Sequence, residues 1–234
     1  MLTICWSPKG GSGTTVVAAT IALASPRPTL LIDLAGDLPA CLGAPDPAAD
    51  PRPGGPGPDG IIDWLLSDVH PDRLDDLAHD LGEGLRLVRR GAHDPDGPSI
   101  DDRRWRSLAE HLSRPGFDTV VDLGTVPPIG RVPDPLWRSA DRRLMVIRPC
   151  YLALRAASRS PALVRGCADG PGTDGVIVIE EPGRALDVAD IQRCIGAPIV
   201  AATPLDPRVA RAVDAGLLLT RRPHSLDPVA TLGR

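Results

Sequence analysis

Close to its start the chain places an apolar run with β-branched content, residues 2–6, before a glycine-dense octapeptide, residues 8–15 (Pro-Lys-Gly-Gly-Ser-Gly-Thr-Thr). A breaker-free stretch of Ala, Val and Leu, residues 14–24, follows directly until Ser25-Pro26 ends it. The pattern predicts a buried strand, a tight loop and a buried helix. Residues 29–33 (Thr-Leu-Leu-Ile-Asp) then read as a second strand, completing a right-handed strand–helix–strand crossover. Taken alone, a loop of this kind is either a plain turn or a phosphate cradle. Gly10, Gly11 and Gly13 let the backbone approach an anion closely, and the helix that starts at once adds its uncapped N–H groups and partial positive charge. The expected ligand is a phosphate.

Further along, strands are expected at 85–89, 119–123, 144–148, 175–180 and 198–202, with helices at 59–67, 71–80, 99–113 (Ser99 as N-cap), 152–166, 186–194 and 206–216. Strands alternating with helices of this length give an α/β fold: a mostly parallel sheet with helices on both faces, in three layers. At 234 residues, 42% hydrophobic and 24% charged, the chain is expected to form one domain, residues 1–234, with a Pro/Gly-rich surface loop at 43–60 and a short tail at 217–234.

Asp33 and Asp122 each end a predicted buried strand, at the sheet edge where open α/β sheets bind ligands. With the first-turn hydroxyl of Thr15 they are candidate holders of Mg²⁺. The net charge of −4 predicts no general attraction to nucleic acid or anionic lipid. Five cysteines (Cys5, Cys41, Cys150, Cys167, Cys194) lack C-x-x-C spacing and read as buried thiols of a cytoplasmic protein, without zinc or disulfides. No export signal is visible, and the longest apolar run, 16–24, is too short to span a bilayer.

Residues 9–15 resemble the deviant Walker A signature, K-G-G-x-G-K-[ST], of the ParA/MinD family of P-loop ATPases. Residues 31–33 (Leu-Ile-Asp) are similar to that family's second-strand motif, residues 117–122 (Phe-Asp-Thr-Val-Val-Asp) to its Walker B strand, and Ala202-Thr203-Pro204 with Asp206 to its late segment near the base. In pieces the resemblance spans residues 2–216, and Gly36-Asp37-Leu38 resembles the CpaE/TadZ branch, which acts in polar placement and pilus assembly. The resemblance implies ATP and Mg²⁺ as cofactors, with the nucleotide held by Lys9, Gly10, Gly11, Ser12, Gly13, Thr14, Thr15, Thr203, Pro204 and Asp206. It also implies a nucleotide-dependent homodimer in which Lys9, the sole lysine of the chain, reaches the partner's phosphates. The function implied is to position or regulate a bacterial assembly: chromosome or plasmid partition, septum or pilus placement.

Three positions depart from the family pattern. The ordinary P-loop lysine is replaced by neutral Thr14, the second switch aspartate by Ala35 with Asp37 as the nearest substitute, and the adenine-reading asparagine falls near Glu180 or Glu181. Charge-assisted phosphate hydrogen bonds contribute roughly 1.5–3 kcal/mol each, so losing one weakens binding by about 10- to 100-fold. Binding is therefore expected to be weakened and hydrolysis weak or absent, and a pseudo-ATPase interaction module without a nucleotide cycle is the alternative.

A dinucleotide-binding Rossmann enzyme is a further alternative. Gly11, Gly13 and Asp33 imitate its fingerprint, but Val16 stands where Gly or Ala packs the helix. No cysteine is placed for the shared cluster of a nitrogenase-iron-protein relative. Arg208, Arg211, Arg221 and Arg222 are either a solvated face or a patch for non-specific DNA, and Pro223 and Pro228 interrupt any terminal amphipathic helix that would touch a membrane.

Overall fold

The computed structural model describes residues 1–45, 59–91, 100–126, 132–167 and 170–234. Six parallel strands form the body of an eight-stranded sheet: β1 (Leu2–Ser7), β2 (Thr29–Asp33), β5 (Asp118–Thr125), β6 (Arg142–Ile147), β7 (Gly175–Glu180) and β8 (Ile199–Pro204). The hairpin of β3 (His79–Gly82) and β4 (Leu85–Val88) adds β4 in parallel to β2 and leaves β3 as an antiparallel edge. The strand order is β3-β4-β2-β5-β1-β6-β7-β8.

Helices cover both faces. They are α1 (Thr14–Ala24), α2 (Leu38–Leu42), α3 (Ile61–Leu66), α4 (Asp102–Leu112), α5 (Asp134–Ser139), α6 (Tyr151–Ser158), α7 (Pro161–Arg165), α8 (Val188–Ile195), α9 (Pro207–Asp214) and α10 (Asp227–Ala230). Two-sided cover is why the strands read as unbroken apolar runs: every residue of β1 and β2 is buried. Side chains alternate between two cores. Leu2, Ile4 and Trp6 join the one that holds Trp64, Leu108 and Trp137, while Cys5 joins the one that holds Val17, Leu31 and Ile177. The expected three-layer α/β architecture is what forms.

Several local expectations are corrected. The helix expected over 71–80 is a 3₁₀ turn, Pro71–Leu77, followed by strand β3, whose tight turn holds Glu83 at φ 52°. The helix expected at 152–166 divides into α6 and α7, because Pro161 cannot continue the hydrogen-bond ladder and instead starts a new helix. Helix α4 is capped by Asp101, whose carboxylate accepts the Arg103 N–H at 2.8 Å; Ser99 lies outside the described residues, as does most of the 43–60 loop. Cys5 and Cys41 are buried as expected, but Cys167 and Cys194 are exposed. The segment expected as a tail, 217–234, packs against α1 through α10 and short 3₁₀ turns, with Val229 and Ala230 buried. Among the described residues no helix is long and apolar enough to cross a membrane.

Candidate functional site

The strand order decides what stands beside the glycine loop. β5 lies between β1 and β2, with Asp122 in register with Cys5 on one side and Asp33 on the other. In the classic dinucleotide fold β1 and β2 are neighbours. Here the crossover through α1 skips a strand, which removes the Rossmann reading and sets both carboxylates at the base of the loop.

The loop itself is held from within. Ser7 and Ser12 hydroxyls both donate to the Lys9 carbonyl, at 3.1 and 2.7 Å, and Ser7 lies 3.4 Å from the Thr125 hydroxyl. Gly11 and Gly13 take φ of 74° and 91°, values that an L side chain resists. Gly13 occupies the cap position of α1 with no side-chain cap, so the first-turn N–H groups open toward the loop's concavity. A Cβ on Gly11 would meet nothing within 4 Å. Uncapped donors beside open space are what a phosphate needs.

The acids differ in their use. Asp33 accepts from Gly36 N at 2.6 Å and Leu38 N at 3.2 Å, folding the segment after β2 back over the strand end. Asp122 accepts from Gly124 N at 3.0 Å through Oδ1, while its buried Oδ2 has no hydrogen-bond partner among the described residues. Burial pushes Asp33 up to about 6 against the pull of its backbone hydrogen bonds. Burial likewise pushes Asp122 up to about 7, with Asp33 adding to it and the neighbouring Thr15 hydroxyl opposing it. Burial also raises the Cys5 and Cys41 thiols, the latter to about 12, so neither is a thiolate.

A buried carboxylate oxygen without a partner, next to a first-turn threonine, fits a hard cation. Among the described residues no group of three His, Cys, Asp or Glu could hold a metal alone. A Mg²⁺ here therefore needs phosphate oxygens and waters to complete its shell, so the residues present fit a nucleotide with its metal better than a metal by itself.

A cavity of about 1000 Å³ opens on the loop. Gly11, Ser12, Gly13, Thr14 and Thr15 form one wall, with Ala35 and Asp37 opposite. Lys9 is exposed outside this lining, its ammonium 3.5 Å from the Gly10 carbonyl, and Gly10 lies beside it. Thr203, Pro204 and Asp206 also lie outside it: Thr203 donates to the Ser225 carbonyl, and Asp206 accepts from Ser225 Oγ and Arg208 N, both at 2.8 Å. Arg208, Arg211 and Arg221 are exposed, whereas Arg222 pairs with Asp227 at 2.9 Å. Sequence reasoning missed Arg90, which lines the cavity; it follows β4 with no motif to mark it.

No protein-family model and no curated protein matches the sequence. Solved structures do. A ParA family ATPase from Chlorobium tepidum superposes with a TM-score of 0.74 at 19% identity, over 99% of this chain and 96% of that one. This is the ParA/MinD fold. MinD in a MinC:MinD cell division complex from Aquifex aeolicus gives 0.72 at 23% identity, over 100% and 94% of the two chains. The septum site-determining protein MinD from Pyrococcus horikoshii, solved with Mg-ADP, gives 0.71 at 20% identity, over 99% and 93%. At these identities the likeness concerns the ParA/MinD fold alone.

Proposed function

We propose that this chain is a ParA/MinD-like nucleotide-binding protein that takes ATP with Mg²⁺ in the loop of residues 8–15, dimerises with the nucleotide, and positions or regulates a larger cellular assembly. The observation that carries the reading is the buried Asp122 Oδ2, without a hydrogen-bond partner in good geometry among the described residues, on a carboxylate whose charged form the Thr15 hydroxyl favours, at an uncapped helix start. In this reading Gly11, Gly13 and the first turn of α1 bind the phosphates, Thr15 and Asp122 hold the metal, and Asp33 shapes the loop that carries Asp37. Lys9 is exposed, and in this reading it reaches a partner protomer. Proteins of similar fold include one in a MinC:MinD cell division protein complex, which supports a positioning role.

Turnover is weak or absent in this reading, because Thr14 brings no charge to the phosphates and Ala35 cannot orient a water. A pseudo-ATPase module is the second reading, favoured by the tie of Thr203 and Asp206 to Ser225. Titration of fluorescent ATP with and without Mg²⁺, with sizing of each state, separates the two. Binding with a monomer-to-dimer shift supports the first; no binding at millimolar ATP overturns it. Thr14→Lys should tighten ATP binding by about 10- to 100-fold, and Lys9→Ala should abolish the nucleotide-dependent dimer while leaving the monomer folded.

A further inference from the structure

The cavity on the glycine loop, about 1000 Å³, holds more than a triphosphate fills, and its lining divides into two ends. Thr15 and Asp122 fix the direction of a nucleotide, because the metal they would hold bridges its outer two phosphates. The terminal phosphate then faces β5, with Gly124 and Thr125 beside it and Arg90 beyond, its Nη1 on the Ala35 carbonyl at 3.3 Å. Asp37 belongs to this end too, since its charge helps to raise Asp33 and Asp122. Whatever leaves the loop in the other direction passes Val16 and meets Ala40 and Cys41 of α2 and Val213 and Asp214 of α9. These two helices are fixed to each other by the contact of Gly43 with Gly216.

Helix physics does not ask for Asp214. It is the last residue of α9, where a carboxylate meets the negative end of the helix dipole and Asp is a weak helix former. It is exposed at the cavity rim, and no hydrogen bond or ion pair with another described residue engages its side chain. The acid at the other end of the helix is occupied: Asp206 caps α9 and accepts from the Ser225 hydroxyl. We propose that the space between α1, α2 and α9 seats the base of the bound nucleotide, with Val16 and Val213 against its faces and Asp214 accepting from its exocyclic amino group. The proposal rests on the reading of the loop as an ATP site. An ionised carboxylate only accepts hydrogen bonds, so the 6-amino group of adenine suits it, whereas the 6-keto oxygen of hypoxanthine sets acceptor against acceptor.

Displacement of a fluorescent ATP analogue by unlabelled ATP and by ITP, with Mg²⁺ present, reads the base alone, since the two nucleotides share ribose and phosphates. The wild-type chain should hold ATP about 10- to 100-fold more tightly than ITP. Asp214→Asn, whose amide both donates and accepts, should bring the two within about threefold of each other. Asp214→Ala should weaken ATP binding without weakening that of ITP, and at this exposed position neither substitution should lower the thermal midpoint. Equal affinity of the wild-type chain for ATP and ITP, or discrimination that survives both substitutions, overturns the base seat while the ATP site stands. If the wild-type chain binds neither nucleotide, both readings fall.

Discussion

Asp33 and Asp122 sit fully buried at neighbouring strand ends, and their carboxyls are pushed up to about 6 and about 7. An acid whose folded pKa exceeds its unfolded value binds its proton more tightly in the native state. Its contribution to stability is complete at low pH and is lost as pH rises through the interval between the two values. Without nucleotide, these two groups should therefore lower stability between about pH 4 and pH 7, by at most about 1.4 kcal/mol per pH unit for each acid. Asp122→Asn keeps the Oδ1 acceptor for Gly124 N and removes the charge from the side that has no partner. Urea melts should show the variant more stable than wild type at pH 8 and equal to it near pH 4. The same variant should weaken the Mg²⁺ dependence of nucleotide binding, because an amide oxygen without the carboxylate's charge holds a hard cation less tightly.

At the level of elements, the start of the site leans on a clasp between α2 and α9. Gly43 ends α2 at φ 67°, and a Cβ there would stand 2.2 Å from the Gly216 carbonyl oxygen. Gly216, at φ 64°, faces it, and the Leu218 N–H donates to the Cys41 carbonyl at 3.4 Å. The two glycines let backbone meet backbone where side chains would hold the helices apart. Gly43→Ala combines a disfavoured φ with a clash and should cost about 1–3 kcal/mol, read as a lower urea midpoint at unchanged slope. Cys41 lies one turn from Asp37, so a clasp that opens also loosens the wall opposite the glycine loop. Glycine is abundant throughout the chain, and only the contact singles out these two.

Across the molecule, the last stretch of chain closes the face of the sheet that α1 covers. Val229 is fully buried, Arg142 donates to the Leu232 carbonyl at 2.7 Å, and a Cβ on Gly233 would stand 2.2 Å from the Ile21 carbonyl oxygen. Since α1 begins at the glycine loop, this segment supports the candidate site from behind. Deleting residues 224–234 should lower the thermal midpoint and expose apolar surface, measured by calorimetry and dye binding. Val229→Ala alone should cost about 2 kcal/mol, the value of two buried methyl groups and the cavity they leave. The truncation also frees Thr203 and Asp206 from Ser225, which gives a way to ask whether their tie bears on the nucleotide.

The local sequence was enough to place the glycine loop, α1, β2 and β5, because each depends on short-range physics: glycines at positive φ, a helix with no breaker, apolar runs buried on both faces. It also marked Thr14 and Ala35 as departures, since those lie inside a pattern of fixed spacing. The small elements were not legible. The edge hairpin, the split of α6 from α7 and the docked C-terminal segment follow from contacts between distant residues, which periodicity does not record. The site was divided in the same way. Asp33 and Asp122 could be named from strand ends, but only the insertion of β5 between β1 and β2 makes them neighbours and leaves one oxygen of Asp122 without a hydrogen-bond partner among the described residues. Arg90 was invisible until the sheet brought β4 beside β2 and carried its guanidinium to the Ala35 carbonyl. Strand order is a choice among long-range pairings of nearly equal local merit, and the side-chain neighbours it creates exist only once the chain has made it.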